Sequence, residues 1–371
     1  MQTLVHFITW HKRKVLASVG ILGSGYCLYK LYGAHRIRLD ALERKLTVQR
    51  ENEELMKTQM QAHFEKIQRI SDTITLPHAM DNLSCRIEEE LDLSLLLERL
   101  IQGKGQPNTL TQAEKLELWD TLKIRSFTRV ALSVWATTMI SLYTKVQVNI
   151  LGRHLYIDTA RSLGSSDSME TGDIVDREDQ QKFLGSVDFL SEYGLPALIR
   201  DMEATTKEIL IGKQLSGLFN SVALHETIMQ ILNKFISMGG SPHSWLKYML
   251  PEDVISHSTT SSSNDLVPFR VADFEQLMLE ARTVLLSAEF GSIVEISLKA
   301  VVDELVELMV TKFSGESITT GMPLARVLPQ VAQMCPLLLE EPLKNQFIQI
   351  IRCILEVELF FTLLYANMPS A

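Results

Sequence analysis

The stretch from residue 130 to residue 151 restricts the possible folds more than any other part of the chain, because Lys145 is its only charged side chain. Earlier in the chain, Thr111 and Glu114 have the spacing of a helix capping box, which predicts a helix from there to about Gly152 or further. A run this apolar is either a membrane span or the central helix of a bundle. A lipid-facing span would leave too many polar side chains without partners, so the buried central helix is the preferred prediction. The polar side chains are Ser133, Thr137, Thr138, Ser141, Thr144, Gln147 and Asn149.

The rest of the chain repeats apolar residues at helical spacing, and few segments alternate with the period of two that strands show. Hydrophobic residues make up 46% and charged residues 22% of the 371 residues, which is a globular composition. We therefore predict an all-α fold: a large, elongated helical bundle of roughly eight to ten helices with an N-terminal transmembrane anchor. Prolines are expected to break up the segment before the last helix, at Pro323, Pro329, Pro336 and Pro342. The predicted later helices are 180–192, 195–211, 215–238, 271–288, 291–313 and 343–365.

Two helices are predicted between the anchor and the central helix. Residues 36–74 are expected to form one long helix, whose charged first half is solvated rather than part of a coiled-coil seam. Pro77 is expected to end this segment. The next helix is predicted from about Met80 to Ile101, and a loop follows at residues 103–108.

The N-terminal segment has the pattern of a membrane anchor. The basic cluster HKRK precedes an apolar run at residues 15–33, and the cluster HRIR follows it. As a helix the run spans about 28 Å, close to the hydrocarbon thickness of a bilayer. An uncleaved anchor is favoured over a secretory signal peptide, which needs a small-residue cleavage site, and over a buried core helix, which would not carry basic clusters at both ends. The anchor residues singled out are Val15, Leu22, Tyr26, Tyr29 and Lys30, the last three grouped where interfacial side chains occur.

The charge of the chain is divided unevenly. Residues 1–38 carry +6 and the remainder carries −15, which gives the net charge of −9. A basic start on an acidic body argues against nucleic acid as the main partner and favours a membrane-facing end. The predicted organisation is a tail at 1–14, a transmembrane helix at 15–33 and a cytosolic helical domain at 34–371. Segments near 164–179 and 256–265 are expected to be mobile loops.

The chain contains no recognisable catalytic or metal-binding motif. His225 and Glu226 begin a string like that of zinc proteases, but position 229 is methionine instead of the second histidine ligand. We therefore predict a protein that is not an enzyme and that uses no cofactor, metal or small-molecule substrate. The four cysteines are too widely spaced for a zinc site and are expected to be reduced thiols: Cys27, Cys85, Cys335 and Cys353.

The segment LELWDTLKIRSFTRV, near the start of the predicted central helix, has apolar residues over about two thirds of the helix circumference. A tryptophan on a helix is usually a core residue. Here two apolar arcs diverge, so one can face the bundle while the other, around Trp119, lines a groove for a partner helix. Lys115 and Leu122 lie beside Trp119, as a cation and an aliphatic neighbour do in interface hot spots. Ser94 and Leu97 on the preceding helix are candidates for the opposite wall.

These features together resemble the peroxin-3 family. The most specific match is LELWDTLKIRSFTRV followed by VQVNILGRHLYID at residues 146–158, and PLARVLPQV at residues 323–331 supports it. The N-terminal order of a basic cluster, a short anchor and a second basic cluster is also similar to the family. The resemblance implies an integral membrane protein of the peroxisome, with its helical domain in the cytosol and passage through the endoplasmic reticulum as an alternative route. It implies a docking factor for peroxin-19, the soluble receptor that carries newly made peroxisomal membrane proteins, in peroxisome biogenesis and membrane protein insertion.

The resemblance also implies a site. An amphipathic helix of peroxin-19 would dock in a groove at one end of the helical domain. Trp119, Lys115 and Leu122 match the groove of the family, and Leu97 and Ser94 match its other wall, although GKGQPNTLTQ lengthens this chain before the motif. Two other classes of function stay open: a membrane-anchored helical tether or scaffold of another organelle, and an anchored enzyme with an unrecognised site.

Overall fold

The chain divides into two compact units, Met1–Ala62 and His63–Ala371. In the first unit, the described residues between 35 and 62 are helical and exposed, in agreement with the solvated helix predicted there. The computed structural model describes residues 30, 32–33, 35–52, 54–55, 57–59, 61–62, 65–105, 111–164, 177–238, 240, 243–252, 273–314 and 316–366.

The second unit confirms the all-α prediction, with twelve α-helices in its described part. In chain order they are α1 (Leu76–Glu90), α2 (Ser94–Gly105), α3 (Gln112–Gly164), α4 (Arg177–Gly185), α5 (Leu195–Leu210), α6 (Ser221–Ser237), α7 (Asp273–Leu285), α8 (Ala288–Leu308), α9 (Glu316–Thr320), α10 (Leu324–Leu338), α11 (Gln346–Cys353) and α12 (Leu355–Ala366). Five 3-10 or π-helical turns lie between them: Ser71–Thr75, Ser186–Asp188, Leu190–Gly194, Ser244–Tyr248 and Met309–Ser314. Two short antiparallel strands, β1 (Leu218–Phe219) and β2 (Met322–Pro323), pair with each other.

Helix α3 is the central helix that the sequence predicts, and its 53 residues make it about 80 Å long. Residues 131–150 are all buried apart from Lys145. Trp135 lies at the centre of an aromatic cluster, with its ring centroid 5.5 Å from that of Phe235. Polar residues are tolerated on this helix because several bond to carbonyl oxygens; Thr137 Oγ1, for example, donates to the Leu338 carbonyl at 3.2 Å.

Helix α10 corrects the prediction for the proline-rich segment, since Pro329 and Pro336 both lie inside it. A proline in a helix interior costs about 3 kcal/mol. One face of α10 is buried along its whole length and packs on α3, and this burial outweighs the local penalty. Asn345 donates to the Leu338 carbonyl at 2.9 Å, so the end of the helix also has a hydrogen-bond partner.

The N-terminal part of the second unit corrects two predicted boundaries. Pro77 does not end the helical segment, because it lies in the first turn of α1, directly after the π-helical turn Ser71–Thr75. Proline has no N–H to donate, and the wider π turn accommodates its ring. The helix predicted from Met80 to Ile101 is divided at Asp92, whose carboxylate accepts the Ser94 N–H at 2.8 Å and thereby starts α2.

Three further predicted boundaries are wrong. The segment predicted as helix from residue 215 begins with strand β1, and the helix α6 starts only at Ser221, which Asn220 caps. The last predicted helix is divided at Ile354, where the backbone is extended. The loop predicted at 164–179 ends earlier, because α4 begins at Arg177; residues 165–176 and the predicted loop at 256–265 lie outside the described residues.

Candidate functional site

The first turns of α3 extend beyond the core of the second unit. Thr111 and Glu114 form the predicted capping box: the Glu114 carboxylate accepts the Thr111 N–H at 2.7 Å, and the Thr111 hydroxyl accepts the Glu114 N–H at 3.3 Å. These bonds hold the pKa of Glu114 below its usual value. No residue between 112 and 121 is buried, and burial begins at Leu122. The apolar side chains of these turns therefore lie at the surface, with Leu116 58% exposed.

Helix α2 packs along one side of this exposed end. Its starting residue Asp92 lies close enough to Arg129 of α3 for the two charges to interact; the pKa of Asp92 is lowered first by the Ser94 hydrogen bonds and further by Arg129. Only a few residues connect the end of α2 to the start of α3, so the two helices run antiparallel. At 100° per residue, Leu118, Leu122 and Arg129 lie on the same face of α3, which is the face toward α2.

A different segment packs against the neighbouring face of α3. Lys123 is buried, and its ammonium donates to the Asp120 carboxylate at 2.9 Å and to the Lys213 carbonyl at 3.1 Å. One turn further along, the Phe127 ring meets the Phe219 ring edge to face at 6.1 Å. Residues 211–219, between α5 and α6, therefore lie on the side of Lys123 and Phe127.

Trp119 occupies the face between these two walls. On the helical wheel of α3, Trp119 is 100° from Leu118, which faces α2. It is 40° from Lys123, which faces residues 211–219. Its side chain is partly buried and packs against the core, and Lys115 is one turn before it on the same side. From these angles we infer a surface that we call the candidate groove, with Trp119 and Lys115 as its floor, α2 as one wall and residues 211–219 as the other.

The walls of the candidate groove carry exposed apolar side chains. Ile211 is 81% exposed and Leu218 is 80% exposed, on the wall that follows α5. Leu95 and Ile101 are similarly exposed on α2. Isolated exposed leucines are common on protein surfaces, but several on the elements that border one aromatic floor are typical of an interaction surface.

The five predicted groove residues have different environments. Trp119, Lys115 and Leu97 are partly buried, and Ser94 is exposed as the first residue of α2. Leu122 is 1% exposed, so its side chain is buried, on the face of α3 toward α2, instead of lying at the surface.

The sequence reasoning missed the wall formed by residues 211–219. Its signal is the string IGKQLSGLF, in which apolar residues alternate irregularly with glycines, a pattern that does not reveal which helix the segment packs on.

Comparison with known proteins identifies the family. The family model described as Peroxin-3 matches residues 102–367, which include the floor and the 211–219 wall. The chain belongs to the Peroxin-3 family. It is 56% identical to Peroxisome biogenesis protein 3-2 of Arabidopsis thaliana over 97% of each chain. It is 26% identical to Peroxisomal biogenesis factor 3 of Homo sapiens, over 89% of this chain and 88% of the human one.

The histidine of the incomplete zinc-protease string has a protein partner in this Peroxin-3 family member. His225, the start of the incomplete zinc-protease string, hydrogen-bonds through Nε2 to the Asp303 carboxylate at 2.7 Å, near the surface. Among the described residues, no group of histidine, cysteine, aspartate or glutamate side chains has the arrangement of a metal site.

The predicted anchor falls almost entirely outside the described residues. Val15, Leu22, Tyr26 and Tyr29 are not described, whereas Lys30 is helical and exposed. Within the part of the chain that the structure describes, no helix combines the length and the apolar character needed to cross a membrane.

Proposed function

We propose that this protein acts in peroxisome biogenesis as a membrane docking factor for peroxin-19 carrying newly made peroxisomal membrane proteins. Membership of the Peroxin-3 family supports the role in biogenesis, since the curated relatives are named as peroxisome biogenesis proteins. The partly buried Trp119 between two walls with exposed apolar side chains is the observation that carries the docking role.

The candidate groove fits an amphipathic helix better than it fits an extended peptide. The floor and one wall are helical, and the strand in the other wall, β1, is only two residues long, which is too short an edge for a peptide to add a strand. A helix that places apolar residues at i, i+3, i+4 and i+7 would contact the Trp119 ring and the side chains of Leu97 and Ile211. Lys115 at one end of the floor would pair with an acidic residue of the partner.

Substitution of Trp119 by alanine tests the docking role. Aromatic anchors at the centre of an interface contribute about 2–4 kcal/mol, so the affinity for purified peroxin-19 should fall roughly 30- to 1000-fold. The measurement is titration calorimetry with the full-length protein in detergent, and circular dichroism melting verifies the fold of each variant.

Leu279→Ala provides the matched control. Leu279 is exposed on α7, next to Glu280, which pairs with His154 of α3. His154 follows Trp119 by 35 residues, or about 52 Å along the helix, so this variant should bind peroxin-19 normally. Unchanged affinity of a folded Trp119→Ala variant would contradict the assignment of the candidate groove.

We further propose that residues 15–33 anchor the protein in the peroxisomal membrane, with the helical domain in the cytosol. The basic clusters on both sides of the apolar run and its bilayer-matching length support this assignment. Residues 1–38 fused to a fluorescent protein should localise to peroxisomes, or to the endoplasmic reticulum before them. A diffuse cytosolic signal would count against the anchor, and full-length protein on another organelle would favour a tether of that organelle.

A further inference from the structure

Lys145 is the only residue between 131 and 150 of the central helix that is not buried. It is the only charged residue between positions 130 and 151, and its neighbours on α3 are buried. Its ammonium lies over the ring of Phe361 of α12, 5.0 Å from the ring centroid. Burial lowers the pKa of Lys145, and the nearby charge of Arg352 lowers it further. Placing the Lys145 ammonium at this partly buried position costs solvation free energy, which suggests that the charge has a function.

A polar cavity opens beside Lys145. It is open to solvent and lies between α3, the π-helical turn Ser71–Thr75 and α11. π-helical turns widen the backbone and are frequent at functional sites. The lining residues are Gln68, Ser71, Asp72, Leu76, Ser141, Thr144, Lys145, Val148, Asn149 and Arg352.

One buried hydroxyl at the cavity has no hydrogen-bond partner among the described residues. Thr144 is 2% exposed, and its hydroxyl has no hydrogen-bond partner within the described part of the chain. Ser71 and Ser141, which are 3% and 6% exposed as whole residues, also line the cavity. A buried hydroxyl is normally satisfied, so the Thr144 hydroxyl indicates that a group within the cavity accepts from it.

The charges around the cavity leave Lys145 available. Asp72 and Arg352 pair with each other at 2.5 Å, so the carboxylate and the guanidinium largely neutralise one another. Asp72 and Glu358 interact with Lys145 only through longer-range attraction, and Lys145 makes no ion pair with any described residue. The cavity therefore combines the Lys145 ammonium, which makes no direct ion pair with a described residue, with the hydroxyls of Thr144, Ser71 and Ser141.

We propose that this cavity binds a small oxyanion of the phosphate class, either inorganic phosphate or the phosphomonoester head group of a lipid such as phosphatidic acid. An oxyanion has several acceptor oxygens, which can receive the Lys145 ammonium and the hydroxyls of Thr144, Ser71 and Ser141 at once. A chloride ion has no such set of directed acceptors and matches the hydroxyl cluster less well. The lining residues include no aromatic side chain on which a nucleotide base could stack. The cavity would therefore recognise the phosphate group itself.

Phosphate titration of the full-length protein in detergent tests the proposal. Inorganic phosphate should bind saturably at one site, detected by calorimetry and by a rise in the melting temperature. Lys145→Met should weaken binding roughly 10- to 100-fold, because it removes a charge-assisted contact while keeping the length of the side chain. Thr144→Val, which keeps the shape and removes the hydroxyl, should weaken binding less.

Lys299→Met is the matched control, since Lys299 is an exposed lysine on α8 and its loss should leave phosphate binding unchanged. Nanodiscs with and without phosphatidic acid distinguish the lipid head group from the free ion. If phosphatidic acid competes with inorganic phosphate, the ligand is the lipid head group; if it does not compete, the ligand is the free ion. Three results would overturn the proposal: no saturable binding, equal binding by a folded Lys145→Met variant, or chloride binding as tightly as phosphate.

Discussion

Replacement of Gly194 by alanine should destabilise the protein through a clash between two backbones. Gly194 ends the π-helical turn Leu190–Gly194, directly before α5, and a Cβ atom there would lie 2.1 Å from the Tyr248 carbonyl oxygen. Ordinary contacts to a Cβ begin near 3.4 Å, so the turn and the Ser244–Tyr248 helix would have to separate by more than 1 Å. Overpacking of this kind costs about 1–3 kcal/mol, and more where backbone atoms must move.

Gly185→Ala is the matched control for this prediction. Gly185 also has right-handed helical angles, with φ −68° and ψ −17°, but no atom lies within 4 Å of a Cβ placed there. Alanine should therefore stabilise the protein at this position by about 0.5–1 kcal/mol, through the lower backbone entropy of the unfolded chain. The two glycine variants should differ in their free energies of unfolding by about 1.5–4 kcal/mol.

The assay is urea unfolding of the full-length protein in detergent, followed by circular dichroism. Gly194 precedes α5, and α5 leads into the 211–219 wall of the candidate groove, so Gly194→Ala should also weaken the partner interaction while Gly185→Ala does not. Equal stability of the two variants would refute the reasoning, because it would mean that the close approach to Tyr248 imposes no constraint.

Three further predictions concern α3. Thr111→Ala should cost about 0.5–2 kcal/mol, the usual effect of losing a helix cap, as measured by urea unfolding. Because the pKa of Glu114 is depressed below 4.5, the stabilisation from its capping bonds is present above that pH and is lost as the pH falls through the depressed pKa; Glu114→Gln should therefore resemble the wild type only in acid. Burial raises the pKa of Tyr143 from 10 to about 12, so stability should fall by about 1 kcal/mol between pH 9 and 11, and Tyr143→Phe should show a shallower fall.

The sequence was informative wherever a local pattern and the tertiary fold agree. The capping box at Thr111 and Glu114 forms as predicted, since both partners lie within one turn. The central helix is buried as predicted because its apolar character covers nearly its whole circumference.

The missed features depend on contacts between distant parts of the chain. Pro329 continues a helix because its neighbours pack on α3, which no local rule can anticipate. The 211–219 wall is placed by the bond from Lys123 to the Lys213 carbonyl, 90 residues apart in sequence. Strand β1 forms only because β2 pairs with it from more than 100 residues later in the chain.

The uninterrupted helix α3 fixes the distance between two parts of the molecule. Trp119 lies near its beginning, whereas Arg153 and His154, which pair with Glu280 of α7, lie near its other end. The separation is about 50 Å along one hydrogen-bonded rod without an internal proline. A partner docked at the Trp119 end, as proposed above, would therefore lie about 50 Å from the α7 end. Contacts at one end of α3 leave the surface at the other end sterically accessible, without any change in the shape of the helix.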